Sequence, residues 1–178
     1  MNLTRRKFLT TTGSAAAFGA LGTVMRQSVS AATPGPVSAT DDLCFKSARD
    51  LSQLIRNRKL SAREVMAAHL RQIARVNPML NAIVAKLPDD QCLALADAAD
   101  RQQARGEMLG PLHGLPIAIK DLDPAVGFPF TRGSPIFRND MPKADSVVVE
   151  RLRSAGALLI GKTNVPEFGM GSHSYNKV

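Results

Sequence analysis

Tryptophan is absent from this chain, and tyrosine occurs once, as Tyr175. Cysteine occurs twice and histidine three times, none of them close together. That spacing argues against a metal centre, which draws its ligands from tight Cys/His clusters, and against a disulfide framework. Cys92 lies in a helical pattern with Leu93, Leu95 and Ala96, where a buried free thiol is the expected state. Long hydrophobic runs are missing as well. The most apolar N-terminal stretch, residues 11–25, is short and rich in Ala and Gly, which argues against a stable membrane anchor. Acidic residues are lacking before position 32, where Arg5, Arg6, Lys7 and Arg26 supply half of the formal net charge of +8. Beyond them, 19 basic residues face 15 acidic ones. These bases are scattered among acids with no aromatic-laced stripe, so no nucleic-acid surface is expected.

What is present at the N-terminus is an address. Residues 4–10, Thr-Arg-Arg-Lys-Phe-Leu-Thr, fit the twin-arginine export pattern, which is read by a receptor and does not anchor. Small residues after the apolar stretch offer cleavage after Ala31 or Ala32. Residues 1–32 are therefore expected to be a twin-arginine signal peptide, giving a periplasmic or extracellular protein. Residues 33–42 are a linker by composition. The folded part is expected over 43–178.

Within that part, periodicity predicts a short helix over 47–56, with Leu51, Leu54 and Ile55 on one face. Ser61 and Glu64 have the spacing of a capping box for a second helix, which Pro78 is expected to stop at about Asn77. A strand follows over 81–86. Pro88 opens a third helix whose first turn carries Asp89 and Asp90; Leu93, Leu95, Ala96 and Ala99 are expected to face inward, and Gly106 ends it. Residues 116–120 read as a strand, 121–139 as loop, 146–154 as a helix and 157–160 as a strand. Everything from Gly161 onward reads as irregular. Strands separated by helices imply an α/β fold with a mixed or parallel sheet.

The most informative stretch is residues 110–120, Gly-Pro-Leu-His-Gly-Leu-Pro-Ile-Ala-Ile-Lys. It ends with a lysine planted on an apolar strand. Lysine is almost never fully buried without a partner, and burial of one lowers its pKa and makes it a candidate base. The simpler alternative is a strand-end lysine that reaches solvent or pairs with Asp121. The surrounding residues resemble the amidase signature family of serine-dependent amide hydrolases. The resembling run continues through Asp121, Gly127 and residues 131–134 (Thr-Arg-Gly-Ser) to residues 145–171, which include Gly-Lys-Thr-Asn-Val-Pro-Glu-Phe-Gly-Met-Gly.

The resemblance implies a mixed central sheet with helices on both faces, of which this chain supplies the N-terminal part. It implies hydrolysis of carbon–nitrogen bonds in small amides by a lysine, a serine on a cis peptide bond and a nucleophilic serine, with no metal or cofactor. Lys120 matches the lysine. Both serines belong to a later Gly/Ser-rich segment that this chain does not reach. Ser134, Ser146, Ser154, Ser172 and Ser174 do not match its motif. Met170, Gly171 and Ser172 are implied to lie near the acyl pocket and are candidate substrate contacts. Two alternatives stand beside the exported amidase: a catalytically inactive remnant, and an assembly module that associates with a separately encoded C-terminal part.

Two further signals point elsewhere at first sight. Residues 156–163, Gly-Ala-Leu-Leu-Ile-Gly-Lys-Thr, match the phosphate-binding pattern G-x-x-x-x-G-K-[ST]. A phosphate loop needs a strand, a free glycine loop and then a helix, whereas here the four middle residues are themselves the strand. His113, in a Gly-flanked turn, is expected to order that turn by hydrogen bonding and not to act as a base.

Overall fold

The computed structural model describes residues 41–178, so the expected signal peptide and most of the expected linker lie outside the described residues. Four helices and three strands follow in the order α1 (Ala48–Arg56), α2 (Ala62–Leu80), β1 (Ile83–Lys86), α3 (Asp89–Ala104), β2 (Pro116–Lys120), α4 (Val147–Ser154) and β3 (Leu158–Thr163). Short 3-10 turns cover Asp41–Phe45, Pro135–Phe137 and Glu167–Gly169. The sheet order is β1-β3-β2, with β1 antiparallel and β2 parallel to the central β3. Among the described residues, no helix is long and apolar enough to cross a membrane.

Three of the four helices, α1, α2 and α4, start at a serine whose side chain caps them. Ser47 accepts the Asp50 N–H ahead of α1, and Ser146 accepts the Val149 N–H ahead of α4. The capping box of α2 forms as its spacing predicts. Ser61 Oγ accepts the Glu64 N–H at 3.1 Å, and the Glu64 carboxylate accepts the Ser61 N–H at 2.8 Å. The next two orphan amides, of Ala62 and Arg63, donate to Asp100 on α3 at 2.7 and 3.1 Å. A helix start is thereby tied to a neighbouring helix.

The Ser61 backbone hydrogen bond, more than the Ser61 hydroxyl, holds the Glu64 carboxyl below its ordinary value of 4.5. A carboxylate depressed in the folded state stabilises above its unfolded pKa and loses that contribution as pH falls through the folded one. The expected result is a stability gap between the wild type and Glu64→Ala that is constant above about pH 5 and closes progressively below it. Urea midpoints across that range measure it. A gap that does not change with pH would contradict the ionised cap.

The second helix departs from expectation, running through Pro78 to Leu80. Pro78 sits in the last turn, where it removes only one intrahelical bond. Asn77 compensates. Its side chain accepts the Ile83 N–H at 2.8 Å and donates to the Ile83 carbonyl at 2.9 Å, while Asn81 adopts a left-handed φ of 46° as C-cap. The helix end is thus bound to the start of β1.

Helices cover both faces of the sheet, as the α/β reading requires. On one face Ala62, Met66 and Leu70 of α2 meet Cys92, Ala96 and Ala99 of α3 and Ile160 of β3, with Ala118 and Leu158 alongside. On the other, Val149 and Leu152 of α4 and the loop residues Ala125 and Phe128 cover Ile117, Ile119 and Leu159. The small alanines of α3 let it approach α2 closely. Leu95, expected inward, lies at the margin of that stripe and is exposed. Cys92 is buried, its thiol 3.7 Å from the Leu87 carbonyl, and burial pushes its pKa up.

Candidate active site

Because β2 and β3 are parallel, their C-terminal ends emerge at one edge of the sheet, with Lys120 paired to Thr163. In open α/β sheets that edge is where ligands bind, because the loops leaving parallel strands converge there. Lys120 is the last residue of β2, and its side chain is exposed. Among the described residues, its ammonium has no hydrogen-bond or ion-pair partner. It does not pair with Asp121.

Asp121 is instead bound to another lysine. Lys162 is 0% exposed, and its Nζ lies 3.2 Å from the Asp121 carboxylate, which is 2% exposed. The same ammonium donates to the Asp123 carbonyl at 2.6 Å and lies 5.4 Å from the centre of the Phe130 ring. Asp121 also accepts the Thr131 N–H at 3.2 Å and the Thr131 hydroxyl. A buried charge is tolerated only when paired and hydrogen-bonded, and both members of this pair are.

The strand expected over 157–160 continues to Thr163, so the glycine and lysine of the phosphate-loop look-alike lie inside β3. A register irregularity explains where the lysine points. Ile117 faces Leu159, but Ala118 faces Gly161, so β3 carries one extra residue. A bulge of this kind reverses the alternation of side chains beyond it. Leu158 and Ile160 pack on the α2/α3 face, while Lys162, after the bulge, lies opposite Ile119 on the α4 face, where Asp121 waits. Gly161 is required on the other side, since a Cβ there would collide with the Ala85 carbonyl of β1.

The loops at this edge are tied to one another. Thr131 Oγ1 accepts the Gly133 N–H at 3.1 Å, and the Arg132 carbonyl accepts the Phe168 N–H at 2.7 Å. A Cβ on Gly133, whose φ is +70°, would lie 2.6 Å from the Val165 carbonyl. Gly169, at φ +74°, lies so close to Leu122 that a Cβ would meet it at 2.5 Å. The Arg132 guanidinium lies 4.1 Å from the Phe130 ring centre and 4.0 Å from that of Phe137, and pairs with Asp140 at 3.0 Å. Beyond this cluster, Met170, Gly171 and Ser172 line an open depression of about 400 Å³ together with Pro166, Glu167, His173 and Tyr175. Ser172 Oγ lies 2.8 Å from His173 Nδ1. The three candidate substrate contacts are thus exposed on the loop that leaves β3, at the edge where Lys120 emerges.

Ser134 is fully buried, with no hydrogen-bond partner for its hydroxyl among the described residues. His113 is buried and both ring nitrogens are occupied. Nε2–H donates to the Ala99 carbonyl at 2.9 Å, and Nδ1 accepts the Leu109 N–H at 3.3 Å. It orders the turn before β2, where Gly156, at φ +89°, presses against its backbone. Sequence reasoning missed Lys162 as a site residue. The available signal was a lysine followed by Thr-Asn in an apolar strand, with Asp121 as an unassigned acid.

Comparison with known proteins agrees with this fold. The amidase family model matches residues 64–178. A glutamyl-tRNA(Gln) amidotransferase subunit of Acidothermus cellulolyticus is 43% identical over 135 residues, covering 76% of this chain and 26% of that protein. An acylamidase of Rhodococcus erythropolis is 41% identical over 128 residues, covering 72% of this chain and 27% of its own. The X-ray structure of the peptide amidase of Stenotrophomonas maltophilia superposes with a TM-score of 0.65 at 33% identity, over 72% of this chain and 26% of that one. The chain spans about a quarter of the length of the relatives it matches. With its family model matched from α2 to the last residue, this chain belongs to the amidase family.

Proposed function

We propose that this chain forms the N-terminal part of an exported amide hydrolase in which Lys120 is the proton-transfer group. The observation that carries the reading is the exposed Lys120 amine, unpartnered among the described residues, at the end of the parallel strand pair from which the segment leading to Met170, Gly171 and Ser172 departs. In the reaction the Lys120 amine accepts a proton, through a bridging serine, from the nucleophilic serine. That serine attacks the amide carbon, the amine product leaves, and water hydrolyses the acyl-enzyme. Backbone N–H groups of the Gly/Ser-rich segment that carries the serines hold the developing oxyanion. Met170–Ser172 contact the acyl portion of a small amide. The reading needs no metal or cofactor.

The relatives include an acylamidase and a tRNA-linked amidotransferase component. The twin-arginine leader favours the first kind of chemistry, because amidation of a charged tRNA is a cytoplasmic task. Intact mass and amide turnover of the natural protein, recovered from the exported fraction of its host, test the proposal together. A species several times the size of this chain that cleaves simple aryl or aliphatic amides supports it. A species of about 16 kDa without turnover, the size left after leader removal, supports the inactive remnant or the assembly module. Export is tested separately with residues 1–32 fused to a folded reporter. Arg5→Lys together with Arg6→Lys is expected to hold the reporter in the cytoplasm, and unchanged export would remove the signal assignment.

A further inference from the structure

The pair formed by Lys162 and Asp121 takes no part in the proton transfer just described, yet it is the most deeply buried charge cluster among the described residues. Its placement suggests a purpose. Ile117 and Ile119 pack on the α4 face and Ala118 on the α2/α3 face, so strand alternation puts Lys120 on Ala118's side and Asp121 on the opposite one. Lys162 therefore grips the chain from the face away from the Lys120 side chain. It holds two points of the turn that follows Lys120: the Asp121 carboxylate and the Asp123 carbonyl. The turn is closed by the Asp123 N–H, which donates to the Lys120 carbonyl at 3.0 Å, and by the Asp121 N–H, which donates to the Thr163 carbonyl at 3.1 Å. Through Thr131, the same carboxylate holds the segment whose Arg132 carbonyl receives Phe168 from the loop leading to Met170.

We propose that Lys162 is a positioning residue for Lys120, fixing through Asp121 and Asp123 the turn that sets where β2 ends and where the neighbouring substrate loop is seated. The proposal rests on the reading of Lys120 as the proton-transfer group. An apolar residue at 162 would fill the volume but could not hold a carboxylate and a carbonyl at once. The bulge at Gly161 is part of the same device, since without it the ammonium would enter the apolar cluster between α2 and α3.

Hydrogen exchange of individual amides in the 178-residue chain tests it, with Lys162→Met and with Lys162→Met combined with Asp121→Asn. The double variant leaves no unpaired buried charge and keeps an acceptor for Thr131. In the double variant, which strands no charge, the Asp121 and Asp123 amides are expected to exchange about tenfold faster relative to those of Leu159 and Ile160, because the added opening is local, whereas Lys162→Met alone also accelerates the sheet amides through its global loss of stability. The ε-methylene resonance of Lys120 is expected to shift with them. In natural protein carrying the double substitution, kcat for an amide falls while KM holds. In the double variant, equal acceleration of Asp123, Leu159 and Ile160, or failure to fold, would overturn the proposal by leaving the pair only a determinant of global stability, and unchanged exchange at Asp123 would overturn it by showing that the pair does not hold the turn. Turnover that survives Lys120→Ala would sink the reading of Lys120 alone, and the exchange data would still decide the role of Lys162.

Discussion

On the proposed reading, Lys120→Ala in the natural protein is expected to abolish amide turnover while leaving the fold as stable as before. The two halves of this expectation have separate causes. A positioned proton-transfer group contributes roughly 10²–10⁴-fold, and in the proposed reaction the nucleophile depends on it for activation, so the loss belongs at the upper end. Each tenfold step corresponds to about 1.4 kcal/mol of barrier. The fold, by contrast, loses little. Lys120 is exposed at the end of its strand, and its side chain bonds to none of the described residues. Surface substitutions of this kind fall within about 0.5 kcal/mol of neutral. Equal thermal midpoints with turnover at background would match the expectation. Preserved turnover would refute the assignment, and lost turnover with a lowered midpoint would leave Lys120 a structural residue.

The second large effect is thermodynamic. Lys162→Met strands the Asp121 carboxylate in a site that is 2% exposed, with only the Thr131 donors left to it. Breaking a buried ion pair by removing one partner costs about 3–5 kcal/mol, because the remaining charge has neither water nor a counter-ion. Against a typical total of about 5–15 kcal/mol, that loss brings the chain close to unfolding. Combining it with Asp121→Asn removes the stranded charge and retains an acceptor for Thr131. The remaining defects are the unmet Asp123 carbonyl and one unpaired amide N–H, at about 1–3 kcal/mol each. The double variant is therefore expected to be more stable than Lys162→Met alone, a strongly non-additive cycle. Urea unfolding of the four proteins measures this directly. Additive losses would mean that the two side chains do not act as a pair.

Much of the helical framework was legible in the sequence because its signals are local. The Ser61/Glu64 capping box, the stripe through Val65, Met66 and Leu70, and the stop at Gly106 all concern residues within a turn or two of each other. Pro78 was misread for the complementary reason. Its effect depends on whether a lost bond can be replaced, and the replacement comes from Asn77 reaching Ile83 in the next element. Leu95 shows the same limit, since which face of α3 is covered is settled by α2 and β3 and not by α3 itself.

Residue identity and order were enough to reach the family, the apolar strand that ends in Lys120 and the structural role of His113. Each of these depends on which residues stand next to which, and packing does not alter that. The partners of Asp121 and Lys162 could be found only in three dimensions. There Asp121 belongs to Lys162 and not to its neighbour Lys120, and Lys162 is a buried ion and not part of a phosphate loop. The reason is geometric. A single extra residue in β3 turns the lysine from one face of the sheet to the other, and bulges of that kind are set by how three strands pair, not by any one of them.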